Sequence, residues 1–184
     1  MTLRVKSVLI EIDFWFAAVL TLMLLLFPQS SAGVCFLLCI LHESGHLGAM
    51  LIFKSRPKKI QLGYFGMKIV TGTRLLSPLM EIIIAAFGPL ANLTSAAVLF
   101  LLNYRSAALI STGLAAFNLL PVTMLDGGRI LSAVIKDGRF LKITGFVTAV
   151  LLMILGIAAA LYTKRNFTIL AVSVYILIGL LTAS

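Results

Sequence analysis

The run Leu41-His42-Glu43-Ser44-Gly45-His46 holds the only two histidines of the chain, four residues apart and with a glutamate directly after the first. On a helix, residues i and i+4 share a face, so both imidazoles can turn a ring nitrogen towards one metal ion. Glu43 lies close enough to act as general base for a water on that ion. A hydrolytic zinc site needs a third protein ligand and one open position. Zinc lowers the pKa of a bound water towards about 7, and a carboxylate such as Glu43 can take that proton and return it to a leaving amine. The remaining acids are Glu11, Asp13, Glu81, Asp126 and Asp137. All but Asp126 fall at expected membrane boundaries, where solvation explains them. Asp126 is the best candidate for the third ligand, because it lies in a break within an apolar region.

Two other readings use the same residues. His42 and His46 could be buried polar groups satisfied by neighbouring helices, with Glu43 paired to a cation. The cost of placing them mid-membrane without a purpose weighs against this. Alternatively, Cys39 lies three residues before His42, and Cys39, His42 and His46 could hold a soft metal for binding or transport. A cysteine in an apolar run is also an ordinary small filler. Cys35 and Cys39, one helical turn apart, are not expected to form a disulfide.

The elements that must position these groups are apolar. The sequence is 61% hydrophobic and 11% charged, where a soluble domain carries about 25% charged residues. With a mean hydropathy of +1.13, this is an integral membrane protein in a single domain, 1–184. The expected class is all-α and polytopic, with about six transmembrane helices around an intramembrane zinc site. Apolar spans are expected at 12–27, 32–53, 79–102, 106–135 (too long for one straight helix), 141–162 and 167–183. The catalytic core is about 32–135; the spans 12–27, 141–162 and 167–183 are accessory. The 22 residues from Ala32 to Phe53 rise about 33 Å as a helix, enough to cross a bilayer.

The net charge of +9 forms no single run or basic face, so no nucleic-acid partner is expected. With the N-terminus inside, twelve of the fifteen basic residues fall in cytoplasmic segments. Both termini are therefore expected in the cytoplasm. Arg4, Lys6 and the apolar core after Phe14 could pass for a signal peptide. Glu11 and Asp13 before that core argue for a retained span.

Three connecting features bear on the site. Leu3–Asp13 alternates partly and reads as a short strand or as the interfacial start of the first helix. Lys58–Val70 has strand-type residues broken by glycines, compatible with a small β-hairpin at the cytoplasmic surface. That hairpin could be a basic, lipid-facing loop or a strand edge able to hold an extended peptide. Gly88-Pro89-Leu90-Ala91-Asn92 kinks the third span and frees backbone carbonyls. Asn92 must face protein there, as helix–helix glue or as a hydrogen bond at a site. In Phe117–Arg129, Pro121 and Gly127-Gly128 break the fourth span, with irregular backbone lining a polar cavity.

Together the motifs H-E-S-G-H, G-P-L-A-N and N-L-L-P-V-T-M-L-D-G-G resemble the site-2 protease family of intramembrane zinc metalloproteases, peptidase family M50. They occur in that family's order across the expected core. The resemblance implies that His42, His46 and Asp126 bind one Zn2+, that Glu43 is the catalytic acid–base, and that Asn92 and Asn118 help hold an unwound substrate. It implies hydrolysis of a peptide bond in or near a transmembrane segment of a membrane-anchored protein. A transcription-factor precursor or an anti-sigma factor would be such a substrate, and a regulatory membrane protein a plausible partner. The layout is most similar to the sporulation-type branch, here without the CBS domain that often follows its last span. A reporter fused at Ser184 should read out as cytoplasmic; an extracytoplasmic signal would refute this topology.

Overall fold

The computed structural model describes residues 2–5, 8–12, 30–55, 57–63, 66–71, 77–163 and 168–182. Among them are four strands, β1 Thr2–Val5, β2 Val8–Ile12, β3 Pro57–Gly63 and β4 Gly66–Thr71. The helices are α1 Ser30–Ile52, α2 Pro78–Leu101, α3 Arg105–Asn118, α4 Asp126–Val134, α5 Gly138–Thr163 and α6 Thr168–Thr182. Of the expected span 12–27, all but Ile12 lies outside the described residues. The chain divides into two compact units, Met1–Ala116 and Phe117–Ser184.

In the first unit the expected hairpin is present as β3–β4, and it is part of something larger. The strands form one sheet in the order β1-β2-β3-β4, with β2 and β3 parallel and the outer pairs antiparallel. Within Leu3–Asp13, the described residues belong to the strands β1 and β2. The register places Leu3, Ile10, Ile60 and Ile69 in one row, beside a polar row of Thr2, Glu11, Gln61 and Lys68. Glu11 and Lys59 add an ion pair at 2.8 Å.

The helices α1 and α2 pack against one another. Both end in the same backbone device. At the end of α1, Ser55 N–H donates to Met50 O (2.9 Å) and Lys54 N–H to Leu51 O (3.0 Å), with Lys54 at φ 52°. At the end of α2, Tyr104 N–H donates to Leu99 O (2.9 Å) and Asn103 N–H to Phe100 O (3.0 Å), with Asn103 at φ 63°. These six-to-one and five-to-two bonds satisfy carbonyls that a helix end leaves orphaned. At its start α2 is capped by Ser77, whose hydroxyl accepts from Met80 N–H at 3.4 Å, with Pro78 in the first turn. Pro is suited to that place because the first amides have no helical partner.

Contact between α1 and α2 is set by small residues. A Cβ built at Gly45 would come within 2.5 Å of Phe87 O and 3.0 Å of Ala91 Cβ. Backbone thus lies against backbone, the mode that membrane helices favour when apolar burial alone offers little. Ala49, Met50 and Ile84 continue the seam, with Phe53 and Phe87 against them.

The second unit has its own core. Val122, Ala149 and Ile176 are buried, with Phe117, Leu120, Leu125, Leu152 and Leu180 packed around them. The expected break in span 106–135 is present: α3 stops at Asn118 and α4 starts at Asp126. Three helices have the length and composition to cross a membrane, Ala32–Ile52, Pro78–Leu101 and Gly138–Tyr162. Their outer faces carry exposed Leu37, Leu51, Phe100, Leu101, Ile154 and Leu161. That surface suits lipid, not water.

Gly45→Leu should separate α1 from α2 and cost about 1–3 kcal/mol, as overpacking does. Gly33→Leu, at an exposed glycine with nothing within 4 Å of a built Cβ, is the control. In detergent, the first should unfold at a lower temperature than wild type and the second should not.

Candidate metal centre

On α1 the buried positions Leu38, His42, His46, Ala49 and Met50 recur at intervals of four, four, three and one. This is one stripe of a 3.6-residue helix. The histidines are 5% and 4% exposed. Facing them, α2 buries Ile84, Ala85, Gly88, Pro89, Asn92 and Ala96. Ile84, Gly88 and Asn92 are themselves four apart, so three consecutive turns of α2 meet the imidazoles.

Each turn does something different. The Ile84 carbonyl lies 2.7 Å from His46 Nδ1. A carbonyl only accepts, so His46 Nδ1 carries the hydrogen and Nε2 keeps its lone pair. At Gly88 the absence of a side chain is what matters. A Cβ there would collide with His46 Nε2 and lie 2.7 Å from His42 Nε2. Asn92 places its amide Nδ2 3.3 Å from His42 Nδ1. Its backbone carbonyl accepts from Ser95 Oγ at 2.9 Å and from Ser111 Oγ at 2.8 Å. Pro89, between Gly88 and Asn92, lacks an N–H and so removes one rung of the helix beside the site.

Glu43 follows His42 on α1 and is half-buried. Asn118 is the last residue of α3, at the edge of the 119–125 break, and is also half-buried. Asp126 opens α4 and is 6% exposed. A carboxylate in a first helical turn is favoured by the unpaired N–H groups there. Arg129, one turn on, reaches it at 3.6 Å. The two glycines after Asp126 make this start sterically feasible. A Cβ at Gly127 would strike Leu119 O and Leu120 O, and one at Gly128 would strike Val122 O. The first turn of α4 thus folds directly onto the backbone of the break.

One ligand-capable atom from each of His42, His46 and Asp126 lies within 4.8 Å of the others, and all three residues are buried. The donor set fits zinc: two imidazole nitrogens and a carboxylate oxygen are the ligands of open hydrolytic sites. The two Nε2 atoms are 3.2 Å apart. Bonds of about 2.05 Å to a tetrahedral ion would hold two nitrogens about 3.3 Å apart. Among the described residues Cys39 does not belong to this group; it is exposed.

Sequence reasoning treated Gly88 only as part of a kink and did not foresee the Ile84 carbonyl or the Ser95–Ser111 pair. Gly88 had a legible signal, since it is four residues before Asn92 and so on the same face of α2. The carbonyl had none, because any residue type can supply one.

The chain matches Peptidase family M50 over residues 103–162, a stretch that contains Asn118 and Asp126 but not the histidine pair. Its fold is similar to that of the site-2 protease from Methanocaldococcus jannaschii, with a TM-score of 0.70 and 20% identity. That similarity covers 99% of this chain and 94% of the other. No curated protein matches the chain.

Gly88→Ala should crowd both Nε2 atoms and weaken Zn2+ binding about 10-fold or more, the usual scale for disturbing the support of a metal site. Competition with a chromogenic chelator measures this, and wild-type affinity in the variant would contradict it.

Proposed function

We propose that this chain, which resembles the site-2 proteases of peptidase family M50 in motifs, matched segment and fold, is an intramembrane zinc metalloprotease. It hydrolyses a peptide bond in or near the transmembrane segment of a membrane-tethered protein. A transcription-factor precursor or an anti-sigma factor is the substrate class that the resemblance favours. The carrying observation is the convergence of three buried ligand-capable atoms, from His42, His46 and Asp126, with Glu43 beside the first.

In this reading His42, His46 and Asp126 hold one zinc ion per chain. When bound, zinc acidifies a water and polarises the scissile carbonyl. Glu43 takes a proton from the attacking water at its carboxylate as the new C–O bond forms, then delivers it to the amine nitrogen, whereupon the peptide C–N bond breaks. His46 is held in register by its bond to Ile84 O, and its Nε2 is thereby kept as a ligand atom. Asp126 brings negative charge, which offsets part of the ion's charge in a low-dielectric setting. Burial of all three groups strengthens these interactions and limits stray water.

A peptide bond within a helix has its carbonyl engaged and shielded, so the substrate must be extended to be cut. Asn118 is assigned to holding the unwound segment, and Asn92, buried against His42, to supporting the site. Among the described residues β4 pairs only with β3, and its other edge offers main-chain groups for adding a further strand. With both termini cytoplasmic, the site faces the cytoplasm, and a regulatory membrane protein could gate it. The metal-carrier reading through Cys39 is less favoured, since Cys39 stands outside the ligand group.

Purified protein and a single-span reporter substrate in detergent separate the readings. Glu43→Gln should retain zinc and lose cleavage by at least about 100-fold, the low end of what a general base contributes. Asp126→Asn should lose both zinc and cleavage, and Cys39→Ser should spare both. A carrier would instead tolerate Glu43→Gln and suffer from Cys39→Ser; a catalytically dead scaffold would bind no zinc.

A further inference from the structure

Asn92 is fully buried, and its Oδ1 is a buried polar atom without a partner among the described residues. Its backbone is pinned, because the carbonyl receives hydroxyls from Ser95 and Ser111, themselves 2.7 Å apart. The remaining freedom is rotation of the terminal amide by about 180°, which exchanges oxygen and nitrogen without changing shape.

His42 is the partner of that amide, through Nδ1 at 3.3 Å. The tautomer of His46 is set by Ile84 O, so its Nε2 is a lone pair. Across from it, His42 Nε2 at 3.2 Å has two roles open. With hydrogen on Nε2, His42 donates to His46 Nε2, and its bare Nδ1 accepts from an amide N–H. To offer Nε2 to an ion, His42 must carry its hydrogen on Nδ1, and that hydrogen needs an acceptor. With Nδ2 facing Nδ1, two donors would then oppose each other, and Oδ1 would stay unpaired. Reversing the amide removes both faults.

We propose that Asn92 is a positioning residue for the metal, a two-position amide that sets the tautomer of His42. With Oδ1 turned to Nδ1–H, it fixes the ring with Nε2 towards the ion. With Nδ2 turned to a bare Nδ1, it favours the Nε2–H ring that bonds to His46. Between the two arrangements one proton leaves Nε2 and one is taken up at Nδ1, so none is gained or lost. An asparagine suits this because its one side chain both donates and accepts. A carboxylate would support only the ligating tautomer, and an alkyl group neither.

This inference rests on the zinc reading of His42, His46 and Asp126, and the experiment keeps the two apart. Zinc affinity by chelator competition is measured for wild type, Asn92→Asp and Asn92→Leu. The leucine variant should bind about 10- to 100-fold more weakly, and the aspartate variant as tightly as wild type or more so. Leucine at wild-type affinity, or aspartate weakened as much as leucine, overturns the proposal while leaving the zinc reading intact. Failure of the wild type to bind zinc overturns both. A second measurement needs no variant. The chain has two histidines, so 15N-histidine NMR resolves two rings. His42 should be protonated at Nδ1 with zinc and at Nε2 after zinc is stripped. A His42 ring protonated at the same nitrogen in both conditions overturns the switch.

Discussion

The constraint on which the structure turns is the cost of keeping two imidazoles and a carboxylate out of water. An unpartnered polar group in an apolar interior costs several kcal/mol, and an isolated charge costs far more. His42, His46 and Asp126 are each more than nine-tenths buried, so the chain must answer that cost residue by residue. It does so with the Ile84 carbonyl, the Asn92 amide and the Arg129 guanidinium. A bound cation would draw the same three groups together and convert the cost into affinity.

Most of the first unit near the site can be understood as service to that constraint. The polar stripe of α1 tolerates no bulky neighbour, so α2 presents Gly88 to the imidazoles and lets Gly45 press against the Phe87 carbonyl. Asn92 has to be fixed before it can fix anything else, and the two serine hydroxyls on its carbonyl do this. In the second unit the equivalent solution is a sharp entry into α4. Gly127 and Gly128 let the carboxylate of Asp126 begin a helix while the preceding backbone passes within contact of that same turn.

The parts legible in the sequence were those where side-chain chemistry conflicts with an apolar setting. H-E-x-x-H inside an apolar run, Asp126 beside a Gly-Gly pair and the Pro121 break each violate a local expectation; His42, His46 and Asp126 are buried, and Pro121 lies between the end of α3 and the start of α4. The sheet was only half legible. The β3–β4 hairpin is local, whereas pairing β2 with β3 joins Ile10 to Ile60 across a long connection, which no short-range pattern announces. Least legible were contacts made by backbone or by the absence of a side chain. The Ile84 carbonyl and the space at Gly88 carry no residue-type signal of their function.

Zinc K-edge X-ray absorption on the purified, zinc-loaded protein reads the ligand set itself. Ligation by His42, His46 and Asp126 should give nitrogen and oxygen neighbours at about 2.0–2.1 Å, with the outer-shell scattering of two imidazole rings and no sulfur. A neighbour at about 2.3 Å with the strength of sulfur, or fewer than two imidazoles, would contradict it.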